Sequence, residues 1–217
     1  MQIAVDGPAG SGKSTIAKLI AKRKNITYLD TGAMYRAVTL KVLDLGIAFD
    51  DEEAIKAMLK DIKIGFKGNN LLLNEVDVSE EIRQQRINDN VSAVAALGFV
   101  RKDMVRRQKE IASNQSIIMD GRDIGTKVLP SAEVKIYLTA SIEERAERRY
   151  KEMKEKGIKV SFEEICESIA ERDRLDMTRT ESPLVKADDA VEIDTTGISI
   201  NEVVDLVIKE MDKVGVC

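Results

Sequence analysis

Nine residues, "GPAGSGKST" from Gly7 to Thr15, fit the pattern G-x-x-x-x-G-K-[ST] through Gly7, Gly12, Lys13 and Ser14. Glycines at that spacing let consecutive backbone N–H groups turn inward on phosphate oxygens, and a helix opening near Lys13 adds the positive end of its dipole. Lys13 would reach the β- and γ-phosphates, and Ser14 would offer its hydroxyl to Mg²⁺. Gly7, Pro8, Ala9, Gly10, Ser11, Gly12, Lys13, Ser14 and Thr15 are therefore the candidate ATP-binding residues. A β-branched apolar run precedes them and an amphipathic stretch, "STIAKLIAKRK", follows, which is the context such a loop needs.

Three further stretches carry charge in patterns that could do chemistry. "IIMDGRDIGT" (Ile117–Thr126) ends an apolar run in two acids and a base. Asp120, at what reads as the end of the central strand, is expected to hold waters on Mg²⁺, and Gly121 to let the chain turn. "LDTGAMYR" (Leu29–Arg36) offers Thr31 and Arg36 to a second phosphate, provided the helix after Gly32 packs beside the phosphate loop. The alternative is a helix cap at Asp30 or Thr31 with a solvent-facing Arg36. In "ERDRLDMTR" (Glu171–Arg179), Arg172, Asp176 and Arg179 stand at i, i+4 and i+7 and share one helix face. Arg145 and Arg148 or Arg149 are similarly spaced on the preceding helix. They read either as a solvated face of ion pairs or as mobile arginines that neutralise a transferring phosphoryl group.

The elements that must position these groups alternate along the chain. Short runs rich in apolar residues recur at 2–6, 26–30, 116–120, 134–138 and 190–194, filled rather than alternating, as in strands buried on both faces of a parallel sheet. Helical patterns lie at about 13–24, 33–45, 51–60, 80–95, 98–114, 141–156, 161–177 and 199–213, giving an α/β layered fold. Four of the five runs end in Asp, and ligands in such sheets bind beyond the carboxyl ends of the strands, so these acids are candidates for one cleft. Two stretches break the alternation. Residues 60–80 read as a β-hairpin unit around "KGNN", and about 145–182 as a charge-rich helical pair joined at "KEKGIKVS". The expected organisation is one domain over 1–217 with two inserted flaps.

Composition narrows the chemistry. The 217 residues include no His, so Ser-His and Cys-His catalysis, a His base and His-ligated metals are excluded. Cys166 and Cys217 match no zinc spacing; Cys166 reads as a buried thiol and Cys217 as a frayed end, both suited to a reducing cytoplasm. Net charge is −4, aromatics are 4% and Trp is absent, which speaks against nucleic acid as a partner. A basic stretch, "RKDMVRRQK" (101–109), keeps an RNA-binding module as the rival of a different class. No apolar run approaches a membrane span, and the opening strand leaves no place for a signal peptide. A GTPase would need N-K-x-D, which the sequence lacks; "DTTG" (Asp194–Gly197) follows the last strand.

The set "DGPAGSGKST", "LDTGAMYRA", "DVSEEIR", "VRKDMVRRQ", "DGRDIGT", "VKIYLTASIEERAERR" and "ERDRLDMTRTESPL" resembles bacterial cytidylate (CMP/dCMP) kinase in order and spacing across essentially the whole chain. The resemblance implies a P-loop nucleoside-monophosphate-kinase fold: a five-stranded parallel sheet flanked by helices, an NMP-binding insertion and a short helical lid. The core would be about 1–59, 115–145 and 183–217, the insertion about 60–114 and the lid about 146–182. It implies transfer of the ATP γ-phosphoryl to CMP or dCMP with Mg²⁺, by a monomer, with neither nucleic acid nor membrane as partner. Thr31, Arg36 and Arg122 would hold the CMP phosphate; Ser92, Arg101, Asp123 and Arg179 would read cytosine; Arg172 and Asp176 would contact the ribose. Lys13, Arg36, Arg122 and Arg172 are the implied catalytic residues, with Arg148 on the ATP side. Ser14 stands where some members of that family have Gly, so the resemblance does not by itself make it a magnesium ligand. Other P-loop kinases, of UMP or AMP, are the nearest alternatives.

Overall fold

The computed structural model describes residues 1–68, 70–155 and 157–215. Cys217, Asn69 of the "KGNN" turn and Lys156 of the helical-pair junction lie outside them. Two compact units are present: residues 1–28 with 114–217, and residues 29–113.

The first unit is built on a five-stranded sheet. Its strands are β1 (Gln2–Asp6), β2 (Thr27–Asp30), β6 (Ile117–Gly121), β7 (Val134–Thr139) and β8 (Val191–Asp194), in the order β2-β6-β1-β7-β8. The numbers β3–β5 belong to the second unit, which the chain enters through β2. The β1–β6, β1–β7 and β7–β8 pairs are all parallel. The central strand is thus β1, not the 117–121 strand expected there. Four of the five β1 residues are buried, as a strand covered on both faces demands. Ile3, Val5, Ile118, Ile136 and Leu138 form one cluster with Ile16, Ala17 and Ile20 of α1 (Lys13–Lys24) and Val203, Val204, Val207 and Met211 of α8 (Ile200–Lys213). The helical spacing of those residues puts each set on one stripe.

Two helices separate β7 from β8: α6 (Ile142–Glu155) and α7 (Phe162–Thr178). Helix α7 opens in a capping box, Ser161 with Glu164, and α8 in another, Ser199 with Glu202; such caps contribute about 1 kcal/mol each. Helices α6 and α7 share a small core of Ala146, Ile165 and Ile169, with Cys166 only partly buried against it. Cys166 is therefore a half-buried thiol rather than the fully buried one expected.

In the second unit, α2 (Thr31–Asp44), α3 (Glu52–Asp61), α4 (Gln85–Ala96) and α5 (Gly98–Ala112) accompany a small antiparallel sheet. The expected hairpin proves to be three strands, β3 (Ile64–Lys67), β4 (Asn70–Leu73) and β5 (Val76–Asp77). "LLLNEVDV" is not one strand because Asn74 (φ 51°) and Glu75 (φ 71°) are both left-handed and turn the chain between the paired Leu73 and Val76. Two left-handed residues joining two strands make a type I′ turn. The helix expected at 80–95 is also divided: a 3₁₀ turn at Glu81–Arg83 stops at extended Gln84 before α4 begins.

Candidate active site

Between β1 and α1 the loop carries Gly7, Gly10 and Gly12 at φ 146°, 79° and 89°. A Cβ at Gly7 would lie 1.9 Å from the Leu138 carbonyl oxygen, so a side chain there is impossible without moving β7. Lys13 opens α1 fully inside the unit, its amine donating to the Pro8 carbonyl at 2.6 Å. Burial holds its pKa well below that of an ordinary lysine, and Arg122 and Arg172 push the same way against Asp120 and Asp6. Ser14 donates its hydroxyl to Asp120 Oδ2 at 2.7 Å, and Tyr28 donates to Oδ1 at 2.8 Å. Asp120, at 4% exposure, is thus oriented by two hydroxyls beside the loop.

This set is made of oxygens, the donors a hard divalent cation prefers. Among the described residues no group of three or more His, Cys, Asp or Glu could cage a metal. Ser14 and Asp120 accordingly fit an ion that is held largely by phosphate and water, as Mg²⁺ is with nucleotides.

The arginines of the helical pair divide into unlike roles. Arg145, expected on a mobile flap, is buried: it donates to the Ala9 carbonyl of the loop at 2.9 Å and the Ala140 carbonyl at 3.1 Å, and pairs with Asp173 at 2.7 Å. Arg149 is paired with Glu152 at 2.9 Å, and its side chain is 37% exposed. Arg148 is held by Glu144 and by both oxygens of Thr195, and one guanidinium nitrogen lies 3.8 Å from where a Cβ on Gly12 would be. Of the three, it is the one whose guanidinium stands beside the Gly12 end of the loop.

The "DGRD" stretch does not turn at Gly121, which continues β6 and pairs with Asp6. Arg122 follows, donating to Asp176 Oδ2 at 2.8 Å, while Asp176 Oδ1 accepts from Arg179 at 3.1 Å. Burial opposes the charged form of Asp176, yet Arg122, Arg179 and Arg172 outweigh it and keep the carboxyl below the usual range. Arg179 caps the end of α7 instead of extending its face, and its Nε donates to the Ser182 carbonyl at 2.7 Å. Arg172 is half-buried, and its charge is felt by both Lys13 and Asp176. Asp123 is 3% exposed and opens a π-helical turn, Ile124–Val128.

In the second unit Asp30 caps α2 as the alternative reading required, accepting from the Ala33 amide at 2.9 Å, and it also accepts from Arg36 at 3.0 Å. Arg36 is therefore not solvent-facing. Its Nε is buried without a partner among the described residues. Gly32 leaves room for the pair, since a Cβ there would stand 3.2 Å from Asp30 Oδ1 and 3.3 Å from the Arg36 guanidinium, tight enough that both would have to give slightly. Thr31 is 3% exposed in the first turn of α2, and Ser92 is half-buried on α4. Arg101 is 2% exposed, lies 5.1 Å from the centre of the Tyr35 ring and donates to the Ala95 carbonyl at 3.2 Å.

Of the four strand-end acids, only Asp120 stands beside the loop with its oxygens on hydroxyls. Asp194 is exposed and bonded to Thr196, Asp30 caps α2, and Asp6 binds backbone amides. Tyr28 and Thr195 have no signal in the sequence pattern: Tyr28 meets Asp120 and Thr195 meets Ser11, partners 92 and 184 positions away and beyond the reach of local patterns.

A strand, a loop of left-handed glycines, an interior lysine and a serine–aspartate pair define a P-loop nucleotide-binding fold. A crystal structure of an uncharacterized protein from Eubacterium ventriosum shares the fold, with a TM-score of 0.54, 13% identity and 98% of each chain covered. The chain belongs to the cytidylate kinase family, whose profile matches residues 3–213. It is similar to a cytidylate kinase from Fusobacterium nucleatum, 53% identical over 212 residues covering 98% of this chain and 97% of the relative. A cytidylate kinase from Bacillus pumilus is 51% identical over 218 residues, covering 99% and 97%.

Proposed function

We propose that the chain is an ATP-dependent nucleoside monophosphate kinase that catalyses ATP + CMP → ADP + CDP, and the same transfer to dCMP. The observation that carries this reading is a family match along residues 3–213 on a chain whose phosphate loop is complete. The nucleophile is an oxygen of the CMP phosphate, whose second pKa is about 6, so it is already dianionic at neutral pH. A chain without histidine can therefore do this chemistry, by positioning and charge stabilisation.

Residues Gly7 to Thr15, with Arg148, serve ATP. Ser14 and, through water, Asp120 serve Mg²⁺, which supplies charge neutralisation on the phosphates. Thr31, Arg36 and Arg122 are assigned to the acceptor phosphate, as the resemblance implies. Asp123, Arg179, Ser92 and Arg101 serve cytosine, and Arg172 and Asp176 the ribose. The division into a core, an NMP-binding insertion at about 60–114 and a lid at about 146–182 belongs to the same proposal, as do a cytoplasmic location and a monomeric state. No described helix is long and apolar enough to cross a membrane.

Three arginines of the basic stretch are engaged within the unit, which supports the kinase reading over an RNA-binding one. Arg101 lies on Tyr35, Arg106 is tied to Asp103 and Glu110, and Arg107 to Asp103 and to the Leu59 and Ile62 carbonyls. A coupled assay of ATP against CMP, dCMP, UMP and AMP tests the proposal. Highest kcat/KM on CMP or dCMP is expected; a preference for UMP or AMP overturns it.

A further inference from the structure

Asp6 ends β1 immediately before the phosphate loop, with 5% of its surface exposed. Its carboxylate binds backbone far along the chain: Oδ1 accepts from the Ile124 amide at 2.8 Å and Oδ2 from the Gly125 amide at 2.7 Å. Those amides open the π-helical turn that follows Asp123. The turn's own bonds begin later, from Lys127 and Val128 to the Asp123 carbonyl and from Leu129 to that of Ile124. The first amides of a helical turn find no partner within it, and the side chain just ahead ordinarily caps them. Here that side chain belongs to Asp123, and it makes no cap. The cap comes from a neighbouring strand instead.

This arrangement fixes the Asp123 backbone at φ −141°, ψ 25° without calling on its own side chain as the cap. Arg122 is fixed with it, since Gly121 just before is in register with Asp6. Gly125 is cut to fit: a Cβ there would stand 3.2 Å from Lys135 Cδ and 3.4 Å from Asp6 Oδ2. Burying a carboxylate is costly, and its two amide bonds offset that cost only in part. Burial raises its pKa to about 6, with the two amides pulling down and Asp123 pushing up. A group kept in place at that cost points to a geometric requirement on what it holds.

We propose that Asp6 is a positioning residue that sets Arg122 and Asp123 for the acceptor and thereby determines selectivity for cytosine. The inference rests on the CMP kinase reading. It also joins the two ends of the reaction, because one residue finishes the strand that feeds the phosphate loop and anchors the turn beyond the acceptor residues.

The test begins with Asp6→Asn, which keeps the shape but turns an NH₂ group toward one of the amides. The expected result is a higher KM for CMP and a fall of about tenfold or more in the CMP/UMP ratio of kcat/KM, the size of one lost charge-assisted hydrogen bond. KM for ATP should stay within about twofold. A folded Asp6→Asn enzyme with the wild-type ratio and KM for CMP overturns the proposal; loss of melting temperature alone would mark a purely structural group. Hydrogen exchange in the wild-type protein decides without any variant: both the Ile124 and Gly125 amides should be protected, and rapid exchange at both positions overturns the anchor. A wild-type chain with no preference for CMP would sink the functional reading, leaving the exchange result to judge the anchor by itself.

Discussion

Replacing Arg145 by Met should destabilise the protein and loosen its grip on ATP by one and the same cause. The side chains of Arg145 and Asp173 are 4% and 11% exposed, and the guanidinium also serves the Ala9 and Ala140 carbonyls. Removing one member of a buried ion pair costs about 3–5 kcal/mol, because the other charge stays buried and uncompensated. The two orphaned carbonyls add about 1 kcal/mol each where water cannot reach them. One oxygen of Asp173 has no partner among the described residues, so the pair is imperfectly satisfied from the start, which favours the lower end of the range. Against a total stability of about 5–15 kcal/mol, a loss of this size is large. Removing both charges, Arg145→Met with Asp173→Leu, should recover most of it and show a coupling of about 2 kcal/mol or more. Urea unfolding at constant m measures each step. Freeing the Ala9 carbonyl should raise KM for ATP while leaving KM for CMP near its wild-type value. Single losses below about 0.5 kcal/mol, or additive effects in the double variant, would refute the reasoning.

Three further outcomes follow from the site. Asp123→Ala should lose far more activity on CMP than on UMP, since cytosine offers an amino donor where uracil has a carbonyl; an unchanged ratio removes Asp123 from base reading. Lys13→Met should abolish transfer yet melt no lower than the wild type, because burial disfavours the ammonium it removes; a clear drop in melting temperature contradicts this. Asp6 shifts from the ordinary 3.8 to about 6 on folding, so the folded protein binds more protons between those values. Its stabilising contribution is fully present below about pH 3.8 and is lost as pH rises through about 6, a change of about 3 kcal/mol. Between pH 4 and 7 the stability of Asp6→Asn should therefore lack that decline; parallel curves for the two proteins would rule it out.

What could be read from sequence and what could not separates along physical lines. Strands buried on both faces announce themselves by filled apolar runs, and all five lie within one residue of their expected bounds. The phosphate loop is equally plain, because its glycines and lysine are adjacent in the chain. The turn at Asn74–Glu75 escaped because Glu is an unusual residue at positive φ, so "LLLNEVDV" looks continuous. Arg145 and Arg149 share the spacing of Arg148 but differ in what surrounds them, which no periodicity encodes. Asp6 was visible only as one of four strand-end acids. Its partners are backbone amides, and those have no letter in a sequence.

The central place of β1 in the sheet has a consequence for synthesis. The strand made first needs neighbours on both sides, and these begin at Ile117 and Val134. At ribosomal speeds of about 5–20 residues per second, its apolar edges wait on the order of 10 s for them. Residues 29–113 form a contiguous unit that can close during that wait. A nascent chain stalled once residue 113 has cleared the ribosome should yield a protease-resistant core from 29–113 while residues 1–28 are digested. Equal resistance of both segments would show that something else shelters β1. The strand at the centre of the finished sheet is also the one that spends longest in the open, a risk for chaperones to manage rather than for the finished protein.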